Sequence, residues 1–297
     1  MRKFAGAVLV FFGVTALVVA GVAAFWTSNQ VQKTPLDTDS TTLASGTASL
    51  SGAAPVPVKA IQLTRADSAK STSDVVVFNS SSCLVIVKGD TPPCVEASDP
   101  EGRLLSASSE IFATDRHTGV GVNDPKILPP DAVEKRGLVN KWPFGTEKRD
   151  YKYWDELASK QINAKYVGTK TIDGLETYEY TVDVADAPIE IAAGVPGLYS
   201  SSKTIFVDPR TGAIIKQNEK QERVTDAGAP VLALDFGMTD GQVAANVADT
   251  KDNIKSLDLV STTIPIGGLI VGLIALIAGI LLQASGRRTK DAQHAQK

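Results

Sequence analysis

Residues 166–184 read Tyr166-Val-Gly-Thr-Lys-Thr-Ile172-Asp173-Gly174-Leu175-Glu-Thr-Tyr178-Glu-Tyr180-Thr-Val182-Asp-Val184. Asp-Gly between two β-rich runs is a strong hairpin signal, because both central residues of the turn must take positive φ. After the turn the residues alternate. Glu176, Tyr178, Tyr180, Val182 and Val184 point one way, and Leu175, Thr177, Glu179, Thr181 and Asp183 point the other. From Tyr178 onward one face is apolar and the other polar, as in an antiparallel sheet with one wet side. The hairpin therefore predicts an antiparallel sheet.

The same grammar extends outward. Val75–Phe78 and Leu84–Val87 read as strands. Ile111–Ala113 and Val120–Val122 flank Asp115-Arg116-His117-Thr118-Gly119, and Ile205–Val207 and Ala213–Lys216 flank Asp208-Pro209-Arg210-Thr211-Gly212. In both, Asp caps a turn and Gly supplies positive φ before the return strand. Two stretches read as helical: 150–164, with Tyr151, Trp154, Leu157, Ala158 and Ile162 near one face, and 239–259, with Val243, Val247, Ile254 and Leu257. Residues 27–59, rich in Ser, Thr, Ala, Gly and Pro from 33 on, read as linker or weak edge strand. The expected fold class is α+β: an exported domain, 60–263, on a large twisted antiparallel sheet with a few helices.

Two apolar runs bracket that domain. Residues 4–26 and 264–282 carry no charge. At ~1.5 Å per residue each is long enough to cross a ~30 Å hydrocarbon core. The first exceeds the apolar core of a cleaved signal, about 7–15 residues, and so favours a retained anchor with Trp26 at its outer interface. Arg2 and Lys3 precede the first run; Arg287, Arg288 and Lys290 follow the second. The positive-inside rule then places residues 1–3 and 283–297 in the cytoplasm and the domain outside the cell membrane. Gly268 and Gly272, with Ala16, Ala20 and Ala24, allow the two helices to approach closely, although Gly and Ala are common in any membrane helix. Residues 27–263 hold 24 basic and 32 acidic groups, so a formal charge of −3 for all 297 residues conceals an acidic exported domain at −8. No basic excess points to nucleic acid.

Cys83 and Cys94 lie in the exported part, where an even count predicts one disulfide. Of 13 aromatics outside the first anchor, eight fall between Trp142 and Tyr180. Trp142, Phe144, Tyr151, Trp154, Tyr178 and Tyr180 are the candidate ligand-binding cluster; the competing reading is that they supply the core. Catalytic signatures are missing. There is no GxSxG, HExxH, P-loop or GxGxxG, and His117, the one exported histidine, sits in a turn. No residue set suggests a metal or a cofactor.

The motifs just quoted, with Lys141-Trp-Pro-Phe144-Gly-Thr-Glu-Lys148, Tyr151-Lys-Tyr-Trp-Asp155 and Gly174-Leu-Glu-Thr-Tyr178, resemble those of a family of actinobacterial envelope proteins labelled the porin PorA family. The resemblance spans both membrane ends and most of the exported domain. It implies an accessory role in maturation of the envelope lipoglycans lipomannan and lipoarabinomannan, and it brings no catalytic residues. The expected function is a non-enzymatic, membrane-anchored protein that binds a lipid or lipid-linked glycan, or scaffolds a membrane glycosyltransferase. An envelope-glycan enzyme with an unrecognised carboxylate pair is the alternative. A pore ranks lower, since a porin needs many strands with a lipid-facing apolar band.

Overall fold

The computed structural model describes residues 2–24 and 28–294. The chain divides into two compact units: a sheet unit, Lys33–Lys251, and a helical unit built from both chain ends, up to Gln32 and from Asp252.

The sheet unit is one ten-stranded antiparallel sheet. Its strands are β1 Asp39–Leu50, β2 Val56–Ala66, β3 Val75–Ile86, β4 Leu104–Asp115, β5 Tyr151–Asp155, β6 Lys160–Ile172, β7 Leu175–Ala192, β8 Val195–Val207, β9 Ile214–Thr225 and β10 Pro230–Met238. Their spatial order is β4-β3-β2-β1-β10-β9-β8-β7-β6-β5, so the first and last strands meet in the middle. One register row runs across nine strands on the inner face: Tyr151, Ala164, Val182, Lys203, Glu219, Phe236, Gly46, Val58 and Ile86. The hairpin at Asp173-Gly174 forms with φ of +46° and +77°, and Tyr180, Val182 and Val184 are buried as their alternation requires.

Two expectations need correction. Residues 150–164 are not a helix but β5, a tight turn with Ser159 at φ +47°, and the start of β6. Tyr151, Tyr153 and Asp155 are all buried at a spacing of two, a strand period that the helical spacing of Tyr151, Trp154 and Leu157 masked. Residues 39–50 are neither linker nor edge: β1 is paired on both sides, with β2 and with β10. Its small side chains are a packing requirement. A Cβ on Gly46 would lie 2.1 Å from the Asp235 carbonyl oxygen and 2.6 Å from Phe236 Cβ.

The two edges meet through the β4–β5 connection. Thr114 bridges Gly121, Val120 bridges Leu138, and Leu138 bridges Tyr153 of β5. The last bridge is parallel, whereas strand directions on an untwisted cylinder would make it antiparallel. Nine strand-to-strand steps of roughly 20–25° accumulate about half a turn, which reverses β5 relative to β4. The sheet is therefore curled and laced at one end only. From Leu104 to Glu110, β4 pairs with β3 alone among the described residues.

Helix α3, Asp240–Asp258, buries Val243, Val247 and Thr250. Asn246 Nδ2 donates to the Ile215 carbonyl (3.1 Å), and Lys251 Nζ donates to the Asp173 carbonyl (2.7 Å). These bonds hold it across the strand ends.

The helical unit contains α1 Arg2–Val22, the short α2 Ser28–Val31, a π-helical turn Leu259–Thr263 and α4 Ile264–His294. Helices α1 and α4 are long and apolar enough to cross a membrane. They pack antiparallel through small residues: a Cβ on Gly13 would lie 2.9 Å from the Gly272 carbonyl oxygen, and one on Gly279 would lie 2.8 Å from that of Gly6. The expected close approach of the two spans is thus present. Phe4, Phe11, Ile270 and Ile274 point outward, exposed, as lipid-facing side chains do. Trp26 lies outside the described residues.

Candidate functional site

The two Asp-x-x-Thr-Gly motifs fold into matching turns. Asp115 Oδ1 accepts hydrogen bonds from Thr118 N and Thr118 Oγ1, each 2.7 Å, and from His117 N at 3.0 Å. Asp208 Oδ2 accepts from Thr211 N (2.7 Å) and Thr211 Oγ1 (2.6 Å). Gly119 and Gly212 both have φ +73°. Burial works against ionisation of Asp115, but its hydrogen bonds outweigh burial and hold the carboxyl below the usual range.

The segment from Val139 to Gly145 is threaded between these turns. Gly119 O accepts from Val139 N and His117 O from Phe144 N; Gly212 O accepts from Trp142 N and Arg210 O from Gly145 N. The approach is close: a Cβ on Gly212 would lie 2.0 Å from the Trp142 carbonyl oxygen. The turns thus clamp the Lys-Trp-Pro-Phe-Gly stretch from both sides and set Trp142 into the core.

The six candidate aromatics fall into three settings. Trp142, Tyr151 and Tyr180 are buried together. Trp142 stacks on Tyr153 (ring centroids 5.7 Å) and lies tilted against Tyr180 (5.3 Å), while Tyr151 meets Tyr180 edge-on at 5.9 Å. Tyr180 OH donates to the Glu147 carbonyl, and Tyr151 OH accepts from Glu147 N, each at 2.9 Å. Trp154, also buried, belongs to a neighbouring cluster with Val76, Phe78 and Phe112. Phe144 and Tyr178 are half-buried. The Phe144 ring has Lys141 Nζ 3.5 Å from its centroid and the His117 ring stacked at 5.8 Å, and Tyr178 packs edge-on against Tyr166. Four of the six are packed as core.

Sequence reasoning missed the buried charges on the same face. Lys203 Nζ is 2.6 Å from Asp155 Oδ2 and 3.7 Å from Glu219 Oε1, and Glu219 Oε1 also accepts from Ser201 Oγ (2.9 Å) and Tyr199 OH (3.2 Å). Burial alone would lower the Lys203 pKa, but Glu219, Tyr153 and Asp155 raise it well above the usual lysine value. Lys135, 2% exposed, pairs with Glu110 at 2.7 Å and with Glu156. Burial pushes the Glu156 carboxyl up, against the pull of Lys135. The signal was present in β8, where Lys203 shares parity with Ile205 and Val207. Cys83 and Cys94 form the expected disulfide. Among the described residues no group of three His, Cys, Asp or Glu side chains is arranged to hold a metal.

A second, half-exposed apolar surface lies on the inner face, toward the unlaced end. Ala48, Val58, Leu84, Ile86 and Leu234 are buried there, and Leu50, Val56, Leu105, Leu232 and Phe236 pack on them half-exposed. The opposite face is polar. A trough of about 620 Å³ crosses it, lined by residues including Asp183, Ser200, Ser202, Lys220, Glu222 and Asp235.

The Porin PorA family profile matches residues 5–281. The chain belongs to that family. Among curated relatives, a Porin PorA of Corynebacterium amycolatum is 27% identical over 93 residues, 27% of this chain and 24% of that protein. A Porin PorA of Corynebacterium resistens is 20% identical over 287 residues, 63% of this chain and 68% of that protein. The first of these matches thus spans about a quarter of the relative's length. Among solved structures, a LolA superfamily protein from Nitrosomonas europaea aligns over 76% of this chain and 92% of its own, with 9% identity and a TM-score of 0.14. Family membership joins the two-helix anchor to an envelope protein class and associates the chain with a membrane.

Proposed function

We propose that this PorA-family chain is a non-enzymatic, membrane-anchored envelope protein whose sheet binds a lipid or lipid-linked glycan. The observation that carries the reading is the half-exposed apolar surface around Leu50, Val56, Leu232 and Phe236, on the inner face of a curled sheet laced at one end only. Such a surface suits acyl or prenyl chains. Lysines pair with the carboxylates Asp155 and Glu219, which are buried, and Glu110 and Glu156, which are not, and this favours a structural role for them over general acid–base work. The exposed Lys220–Asp235 pair and its polar neighbours make the outer face unsuited to lipid, which argues against a porin-type barrel. Within that reading the termini are cytoplasmic and the sheet lies outside. The protein serves lipomannan and lipoarabinomannan maturation by presenting its ligand to, or holding in place, a membrane glycosyltransferase.

Native mass spectrometry of the detergent-extracted protein tests lipid binding, and lipoglycan profiles of a deletion strain test the pathway. Retained envelope lipid and truncated lipoglycan are expected. No retained lipid together with unchanged lipoglycan overturns the proposal.

A further inference from the structure

Lys203, Lys135 and Arg223 are three cations on the inner face among the described residues, and Arg223 is treated differently from the two lysines. Lys203 has two carboxylates, Asp155 and Glu219, and Lys135 has two, Glu110 and Glu156. Arg223 has none within 4.0 Å among the described residues. Its Nε and Nη2 share a neutral partner, the Gln221 Oε1, at 3.3 and 3.1 Å, and among the described residues no hydrogen-bond acceptor meets its Nη1 edge. Arg223 sits in a register row whose other members are apolar or aromatic: Ala187, Tyr199, Arg223, Leu232 and Leu50. Ala187 and Tyr199 are fully buried on one side; Leu232 and Leu50 belong to the half-exposed apolar surface on the other.

We infer that Arg223 receives the phosphate of a lipid whose tails lie on the apolar surface beside it. This rests on the lipid-binding reading above and names its head-group contact. A half-buried charge without a counter-ion is costly, and a bound anion removes that cost. The planar guanidinium presents parallel donors that match phosphate oxygens, which a lysine at this position would not. Burial lowers the Arg223 pKa and outweighs the opposing pull of Tyr199 and Glu219, a setting in which an added anion stabilises the charge. Leu232 and Leu50 follow Arg223 directly along the row, so head group and tail contacts are contiguous.

The test titrates the detergent-solubilised full chain with phosphatidylglycerol and with diacylglycerol of the same tails, read by native mass spectrometry. Arg223→Gln should weaken phosphatidylglycerol retention about tenfold or more, the worth of a charge-assisted hydrogen-bonded contact, and leave diacylglycerol retention unchanged. Arg223→Lys, which keeps charge but loses the fork, should fall between and gives the readout if the Gln variant does not fold. Equal phosphatidylglycerol retention by wild type and Arg223→Gln overturns the assignment while leaving the lipid reading standing. Retention of neither lipid by the wild type removes that reading, and this inference with it. Displacement of phosphatidylglycerol by inorganic phosphate, with no diacylglycerol bound, would mean a free-anion site and overturns the lipid source.

Discussion

Lys203 Nζ lies 2.6 Å from Asp155 Oδ2, with side chains 10% and 0% exposed, and it joins β8 to the end of β5. Lys203→Met leaves two carboxylates facing an apolar interior and should cost about 3–5 kcal/mol. Replacing Asp155 and Lys203 together by apolar residues should recover part of that loss. A lysine with a raised folded pKa contributes stability that is complete below its unfolded value, 10.5, and is lost as pH rises through the folded one. Tyr153, pushed by burial to about 12, acts in the same direction, since its unfolded form ionises near 10. Urea melts at several pH values should show a decline in stability above roughly pH 10, reduced in Lys203→Met.

Gly212 and Gly228 both have positive φ, +73° and +80°, but a Cβ on Gly212 meets the Trp142 carbonyl oxygen at 2.0 Å and one on Gly228 meets nothing within 4 Å. Gly228→Ala should cost about 1–2 kcal/mol, the left-handed backbone penalty alone. Gly212→Ala must also displace the clamped segment and should cost distinctly more in the same denaturation experiment.

The Cys83–Cys94 bond closes a loop of sequence separation 11. Chain-entropy arguments give about 2–3 kcal/mol for a loop of this size. Dithiothreitol, or the double Ser variant, should lower the thermal midpoint of the sheet unit. An unchanged midpoint would show that the 87–103 excursion is held by its other contacts.

A Cβ on Gly272 would lie 2.9 Å from Leu17 Cγ and 3.0 Å from the Gly13 carbonyl oxygen, whereas Gly267 has nothing within 4 Å. Gly272→Leu should therefore separate α1 from α4, and Gly267→Leu should not. Cysteine cross-linking between positions 10 and 279 in detergent would register the difference as loss of cross-linked product.

Burial pulls Lys141 down to about 7, with Asp115 opposing it. Its ammonium faces the Phe144 ring and lies 3.4 Å from Thr34 Oγ1. Carbon-13 methylated lysines followed by NMR should show one lysine of the sheet unit titrating near neutrality, absent in Lys141→Met. Uniform titration near 10.5 would contradict the burial of this side chain.

The β6–β7 hairpin and stretches of β3, β4, β8 and β9 were legible from residue parity and turn chemistry. Asp173-Gly174 gave the hairpin, and the two Asp-x-x-Thr-Gly motifs gave their turns, because these signals are local. Residues 150–164 were misread because Tyr151, Trp154, Leu157 and Ile162 fit a helical period while the side chains that decide the matter, Tyr151, Tyr153 and Asp155, include a charge. The role of Asp155 depends on Lys203, 48 residues away, and no window of sequence shows that pairing. Central strand β1 was hidden by its own requirement: Gly46 and Ala48 are small because Phe236 and Leu234 occupy the space above them, and small polar strands look like linkers. The aromatic cluster was visible as a concentration of rings, but composition does not distinguish a core from a groove.

The pairing of β1 with β10 also sets an order of events during synthesis. Leu50 must wait for Leu232, about 180 residues later. At ~5–20 residues per second that is roughly 10–40 s during which one margin of β1 has no partner. A strand of Val and Ile in that position would recruit neighbouring chains. The Ser, Thr, Gly and Ala of 39–50 keep the exposed margin inert until the last strand arrives, so the sheet is completed at its centre.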